Sequence, residues 1–185
     1  MMIQFLAVVL APLLNMPVIR RVRRNHGLEH ATIHMLSRKV KNLSLAGRST
    51  SSGFYLYGNV STPEVETAVD EALSRMQHGE HGLAIHPNCG TGLVTAGLLT
   101  SLATLVGTSG MRSGILERLS RLPSIILLST LSLILAQPLG LALQQHITTL
   151  GDLGDLEVIA ISRFEFPIPL AGQRLTVHYV RTRSG

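Results

Sequence analysis

The sequence predicts an α+β membrane protein: a transmembrane helical hairpin and an N-terminal apolar helix, with a small cytoplasmic sheet domain built from both sides of the hairpin. Three observations carry this expectation. Charged residues are 15% of the 185, against about 25% in an ordinary soluble domain. They are absent from three long tracts, Met1–Ile19, Pro87–Met111 and Leu122–Gly151. The segments between and after these tracts carry ordinary charge with strand-like and capped helix-like patterns. The organisation that follows is an apolar helix over 1–19, a cytoplasmic α+β segment over 20–90, the hairpin over 91–146, and a β segment over 147–185 that completes the cytoplasmic domain.

Met1–Ile19 is an uncleaved anchor or a helix lying at the interface. A cleaved signal peptide has its positive charge before the apolar stretch; here Arg20-Arg21-Val22-Arg23-Arg24 follows it and resists export. Pro12 and Pro17 argue against an ideal spanning helix. Arg24–Lys41 reads as a helix with Leu28, Ile33, Met35 and Leu36 as its apolar positions. Leu43–Gly47 and Gly53–Gly58 read as short strands. Ser61-Thr62-Pro63-Glu64 has capping-box spacing with proline in the first turn, which starts a helix running to about Gln77. Leu83–Ile85 is a further short strand.

Gly92–Gly110 is a Gly/Ser/Thr-rich apolar helix, and small residues there let two helices approach closely. Leu122–Leu143 satisfies the requirement of about 20 apolar residues for crossing the hydrocarbon, with a kink or helix end expected near Gln137-Pro138. Met111–Arg121 joins the two. Leu156–Phe164 and Arg174–Val180 read as strands around a Pro-Gly turn region. A soluble core hairpin is the competing reading of the two apolar tracts.

The basic residues set the orientation. Nine Lys and Arg lie between Arg20 and His86, four lie in the tail from Asp152, and three lie in the hairpin turn. This asymmetry puts both polar parts in the cytoplasm and the turn outside a multi-pass cell (inner) membrane protein. One cysteine, Cys89, excludes an intrachain disulfide. The net charge of +5 does not imply nucleic acid as a partner. Trp is absent, Phe and Tyr are few, and stacking platforms are therefore scarce. The bilayer is the expected partner, with homo-oligomers forming through small-residue helix faces.

The sharpest chemical feature is His26-Gly27-Leu28-Glu29-His30. On a helix the two imidazoles, four residues apart, point to one side with Glu29 beside them. Two neutral imidazoles and a carboxylate suit zinc or another divalent metal, and H-x-x-E-H is the inverted-zincin spacing. In that arrangement Glu29 is a general base that takes a proton from the attacking water. His34 continues the face by one turn. His86-Pro87-Asn88-Cys89-Gly90-Thr91 supplies a second imidazole and a thiol at H-x-x-C spacing, in a turn able to aim both at one point. The bland alternatives are interfacial histidines and a buried structural cysteine. His146 is a further candidate ligand, while Asp152 and Asp155 are candidates for orienting a ligand imidazole. His78 and His81 read as a solvated loop, and His178 as a surface residue within a strand.

The pair H-G-x-E-H-x-x-I-H and H-P-x-C-G-T, followed by an apolar hairpin, resembles the YqhQ type of uncharacterised bacterial membrane proteins, described as metal-dependent enzymes. Thr148-Thr149 and Asp155-Leu156-Glu157-Val158-Ile159-Ala160 are similar to the closing T-T…D-x-x-E-V-A pattern of that family. The matching pieces run in order between His26 and Ala160. The chain is shorter than the longer members, and Leu43–Gln77 departs from the pattern, as expected of a small sister group. The resemblance implies metal dependence but names no reaction.

Two functions follow. One is a zinc-dependent membrane hydrolase, a peptidase at the cytoplasmic face, with Glu29 as base, His26, His30 and one of His86, Cys89 or His146 as ligands, and an unidentified peptide or small-molecule substrate; if His26, His30, His86 and Cys89 all bind, the sphere closes and the case for catalysis weakens. The other is a non-catalytic structural or interaction protein whose metal pins the fold. Haem ligation is disfavoured, because neither clear apolar tract holds a histidine in its interior.

Overall fold

The computed structural model describes residues 2–110, 114–167 and 174–184. The chain divides into two compact units, one formed by Met1–His86 with Gln144–Gly185 and the other by Pro87–Leu143. Both the turn of the hairpin at 111–113 and the Pro-Gly turn at 168–173 lie outside the described residues.

The first unit begins with two short helices, α1 (Met2–Val9) and α2 (Ala11–Leu14), and then α3 (Pro17–Lys39). The two prolines fall in the first turns of α2 and α3. Proline is tolerated there, since those N–H groups have no helical partner in any case. So α3 starts at Pro17, seven residues before the expected Arg24, and crosses the predicted boundary at residue 20. The whole arginine run, Arg20–Arg24, is inside the helix. Leu28, Ala31, Met35 and Leu36 are fully buried along one side of α3, at about 1.5–3 kcal/mol for each leucine or methionine.

A four-stranded antiparallel sheet follows the order β1-β2-β4-β3, with β1 at Ala46–Thr50, β2 at Gly53–Tyr57, β3 at Glu157–Pro167 and β4 at Arg174–Arg183. Two strands come from before the hairpin and two from after it, as expected. β1 sits three residues later than its predicted start. Its register is set by the turn into β2, where Thr50 Oγ1 donates to the Gly53 carbonyl at 3.0 Å. Helix α4 (Thr62–Gln77) has the full capping box between Ser61 and Glu64 and buries Val65, Ala68, Val69, Ala72 and Met76. Phe54, Leu56 and Val180 join these residues and the α3 face in one core. The helices therefore cover one face of the sheet, toward which alternate strand residues point.

Leu83–Ile85 is not a strand. His81–Ala84 forms a 3₁₀ turn, and the carbonyls of Ala84 and Ile85 accept from histidine side chains of α3, not from a neighbouring strand. His178, expected at the surface, is 1% exposed. It points to the covered face opposite Leu56 and bonds Thr62 Oγ1 at 3.1 Å through Nε2. Burial pushes its pKa down, the nearby Arg163 adds to this, and Glu66 opposes it.

The second unit is a pair of helices, α5 (Gly90–Thr108) and α6 (Ile115–Leu143). Both are long and apolar enough to cross a membrane, and only 11% of each apolar window is buried within the chain. The threonines that dilute α5 do not leave hydroxyls unsatisfied. Thr95, Thr100, Thr104 and Thr108 each donate to the carbonyl four residues earlier at 2.7–2.9 Å, which suits an apolar surrounding. The helices approach most closely at small residues. A Cβ on Gly140 would lie 2.9 Å from the Gly92 Cα, and one on Gly107 would lie 2.8 Å from Ile125 Cγ1. These glycines thus serve contacts within the hairpin. α6 continues through Pro138 to Leu143, so that proline does not end it. In the first unit the chain resumes as one π-helical turn, Gln144–Thr148.

Candidate metal centre

The H-x-x-E-H segment lies in the middle of α3, and the helical spacing puts His26, His30 and His34 on one side as expected. The rings of His26 and His30 meet edge to face with centroids 4.4 Å apart. His86, from the segment after the 3₁₀ turn, brings its ring centroid to 5.7 Å from His30 and 4.8 Å from His34. Four imidazoles separated by as much as 60 residues of sequence form one cluster in the first unit.

Backbone carbonyls fix the orientation of three of them. His26 Nδ1 donates to Thr148 O at 3.0 Å and His30 Nδ1 to Ala84 O at 2.7 Å. A carbonyl only accepts, so both Nδ1 atoms carry a proton, and in the neutral rings the lone pairs are on Nε2. This is the arrangement in which an outer hydrogen bond sets the tautomer of a ligand imidazole. His34 is reversed: its Nε2 donates to Ile85 O at 2.8 Å, leaving the lone pair on Nδ1. The His86 backbone N–H donates to Gln144 Oε1 at 2.9 Å, which ties its segment to the turn after α6. Burial, followed by the proximity of His34 and His30, pushes the His86 pKa down to about 4. His86 is thus a neutral imidazole at ordinary pH, the form that donates to a metal.

Glu29 is 4% exposed and turned toward β1, where the Ser49 hydroxyl donates to its carboxylate. Burial pushes its pKa up, while the Ser49 bond and the charge of His26 oppose the rise. The carboxylate fits against β1 because residue 47 is glycine; any Cβ there would overlap the Glu29 side chain. Gly27 plays the same part on the opposite side of the helix. A Cβ there would lie 2.6 Å from Leu150 O and 3.3 Å from Ala84 Cβ, so α3 comes this close to both carbonyl-bearing segments only through glycine.

The arginine run contributes more than a membrane flank. Arg23 and Arg24 are each 8% exposed. Arg23 donates to the carbonyls of His146 and Thr149 at 3.3 and 3.2 Å, and its own carbonyl accepts from Leu150 N at 3.0 Å. Arg24 pairs with Asp155 at 2.9 Å. Asp155, a candidate for orienting an imidazole, thus serves an arginine, and the carbonyl of Thr148 orients His26. Asp152 accepts from Gly154 N at 2.9 Å in a local turn. Asn25 joins α3 to two strands, donating to Thr50 O at 2.8 Å and accepting from Thr182 Oγ1 at 2.7 Å.

His78 and His81 are exposed, as expected of a solvated stretch; His78 Nδ1 donates to Ser74 O at 2.7 Å. His146 contributes its backbone carbonyl to Arg23. Cys89 belongs to the second unit, where it is 6% exposed and caps α5, its sulfur accepting from Thr91 N at 3.4 Å. Sequence reasoning missed Ser49, the carbonyl partners and the buried arginines. None of these has a local signal, apart from the glycine at 27 inside a helical pattern, a placement that marks a packing constraint.

The family model described as a domain of unknown function, DUF6391, matches residues 21–161. That stretch includes the histidine helix, His86, Cys89, α5 and α6. An uncharacterized protein of Picosynechococcus sp. is 34% identical over 139 residues, 69% of this chain. The chain spans 65% of the length of that relative. No solved structure matches. The chain belongs to the DUF6391 family.

Proposed function

We propose that this protein is a metal-dependent membrane hydrolase, of the peptidase kind, acting at the cytoplasmic face of the inner membrane. The observation that carries the reading is the imidazole cluster with its tautomers set by backbone carbonyls. His26 and His30 direct Nε2 lone pairs from one helix face, and His86 is a neutral imidazole beside them. Cys89 is three residues beyond His86, within about 10 Å of it along the chain, and its H-x-x-C spacing makes it the candidate sulfur donor beside the imidazoles. Two or three nitrogens and one sulfur suit zinc. When bound, zinc would supply Lewis-acid polarisation of a carbonyl and acidification of water. The remaining chemistry falls to the chain: Glu29, buried and held by Ser49, receives the proton of the attacking water. Its raised pKa fits a base that must later give the proton up. The membrane part of the reading is supported by two helices long and apolar enough to cross a bilayer.

The test is elemental analysis of the purified full chain together with Glu29→Gln. The proposal expects about one zinc per chain in both proteins, with substrate processing lost only in Glu29→Gln. Zinc binding with unchanged processing would remove the catalytic role. One observation favours the structural alternative: His26, His30 and His34 stitch α3 to two other segments through carbonyls, so a metal there would also brace the fold. That reading expects chelation to lower the melting temperature and Glu29→Gln to leave function intact.

A further inference from the structure

The N-terminal helices leave an apolar surface uncovered. No residue of α1 is buried, and Leu14 is the only buried residue of α2. Met2, Phe5, Leu6, Val8 and Val9 are exposed, Phe5 and Val8 at 71% and 72%. With 3.6 residues per turn these five fan over about 160° of the helix circumference. The half-buried Ile3 and Ala7 fall on the opposite side, where α1 touches the π-helical turn Gln144–Thr148. The uncovered surface continues through Leu13, Met16 and Val18, all exposed. Neither helix is long enough to cross a bilayer. Even end to end, residues 2–14 would rise about 20 Å, against ~30 Å of hydrocarbon. A short helix that is apolar over a wide arc and flanked by arginines suits the boundary between headgroups and acyl chains. A second copy of the chain is a poorer occupant, since a helix–helix seam covers a narrower stripe than this arc.

The charge beside this surface is all of one sign. Residues 1–28 hold four arginines and no acid. Arg23 is engaged by carbonyls and Arg24 by Asp155. Arg21 differs from both. It is half-buried, its side chain makes no hydrogen bond or ion pair among the described residues, and its Nε is out of contact with water. It follows Val18 by three residues on α3 and so lies on the same side of the helix as that exposed apolar residue. An arginine stem laid along apolar surface carries its guanidinium to the level of the lipid phosphates, and the planar fork of donors matches a phosphate.

We propose that α1 and α2 lie in the interface of a bilayer and that Arg21 binds the phosphate of an anionic phospholipid there. This docking does not involve the metal centre. The chain has no tryptophan, so Phe5→Trp places a single reporter on the exposed arc. The test is the emission of full-chain Phe5→Trp in nanodiscs of phosphatidylcholine with a minority of phosphatidylglycerol, bromine being carried on the acyl chains either near the glycerol or near the bilayer centre. Shallow bromines should quench more than deep ones. With shallow bromine confined to one lipid at equal amount, brominated phosphatidylglycerol should quench more than brominated phosphatidylcholine, since an arginine near the surface enriches anionic lipid about fivefold. Arg21→Gln should cut that excess about twofold or more, and Arg21→Lys should keep most of it. Val9→Trp is the second reporter, and circular dichroism confirms that each variant is folded. Emission untouched by any bromine, as when a second copy or another protein covers α1, overturns the proposal. Stronger quenching by deep bromines marks a spanning helix and overturns it equally. So does equal quenching by the two lipids, or an excess unchanged in folded Arg21→Gln.

Discussion

Replacing Gly27 by alanine tests how α3 is seated, because the sign of the effect depends on the packing. In an unobstructed helix the change stabilises by up to about 1 kcal/mol through helix propensity. Here the new methyl would lie 2.6 Å from the Leu150 carbonyl oxygen and 3.3 Å from Ala84 Cβ. The first is backbone and cannot rotate away, so the helix must shift outward. Overpacking of this kind costs about 1–3 kcal/mol, and the shift would also lengthen the His26–Thr148 and His30–Ala84 bonds that flank Gly27 in sequence. A clash with a backbone oxygen belongs to the upper part of that range, about 2–3 kcal/mol, and subtracting a propensity gain of about 1 kcal/mol leaves a net loss of about 1–2 kcal/mol. For a chain of this length that lowers the melting temperature by about 2–8 °C. The assay is thermal unfolding by circular dichroism of full chain in detergent, with Gly97→Ala alongside, since a Cβ at Gly97 meets nothing within 4 Å. Gly27→Ala should melt lower and Gly97→Ala should not. A Gly27→Ala protein that melts at or above wild type would refute the placement of α3 against these carbonyls.

Other outcomes follow from the same geometry. In metal-stripped protein Glu29→Gln should raise the melting temperature at a pH above the folded pKa of Glu29, because it removes a buried charge and keeps a partner for Ser49. Since the folded pKa of Glu29 is raised, wild-type stability should fall as pH rises through that folded value, and the variant should lack this slope. His86 behaves oppositely: its folded pKa of about 4 lies below the ordinary 6.5, so its stability contribution is present above 6.5 and is lost as pH falls toward 4. His86→Asn should flatten the acid limb of a melting-temperature profile of metal-stripped protein over that window. Arg23→Met should cost about 2–4 kcal/mol, since it deletes charge-assisted bonds to the buried carbonyl of Thr149 and the half-buried carbonyl of His146; denaturation of the two proteins side by side measures this.

Much of the architecture was legible because it rests on local chemistry. The Ser61–Glu64 box and the alternation in Gly53–Tyr57 each act over a few residues, and both elements appear where their patterns put them; the apolar tracts also form helices, but the first is divided at its prolines and α6 starts at Ile115, inside the segment expected to join the two helices. The H-x-x-E-H spacing was legible for the same reason, since helical geometry alone brings His26 and His30 together. What could not be read depends on partners far along the chain. Arg23 and Arg24 look like a membrane flank until the carbonyls of His146 and Thr149 and the carboxylate of Asp155 arrive from more than 120 residues away. Leu83–Ile85 has strand composition, but its carbonyls are taken by imidazoles. His178 alternates like a surface residue on either face, and only the helix pairing decides that its face is the covered one. Ser49, the partner of Glu29, lies in a strand whose register is set by a turn.

The central claim is that the α3 histidines hold a divalent metal. X-ray absorption at the zinc edge of the zinc-loaded full chain, beside His30→Ala, tests it most directly. The account predicts a four-coordinate shell of two or three imidazole nitrogens at about 2.0 Å and one sulfur at about 2.3 Å, lost in the variant. A spectrum of six light oxygen neighbours, or one unchanged in His30→Ala, would contradict it.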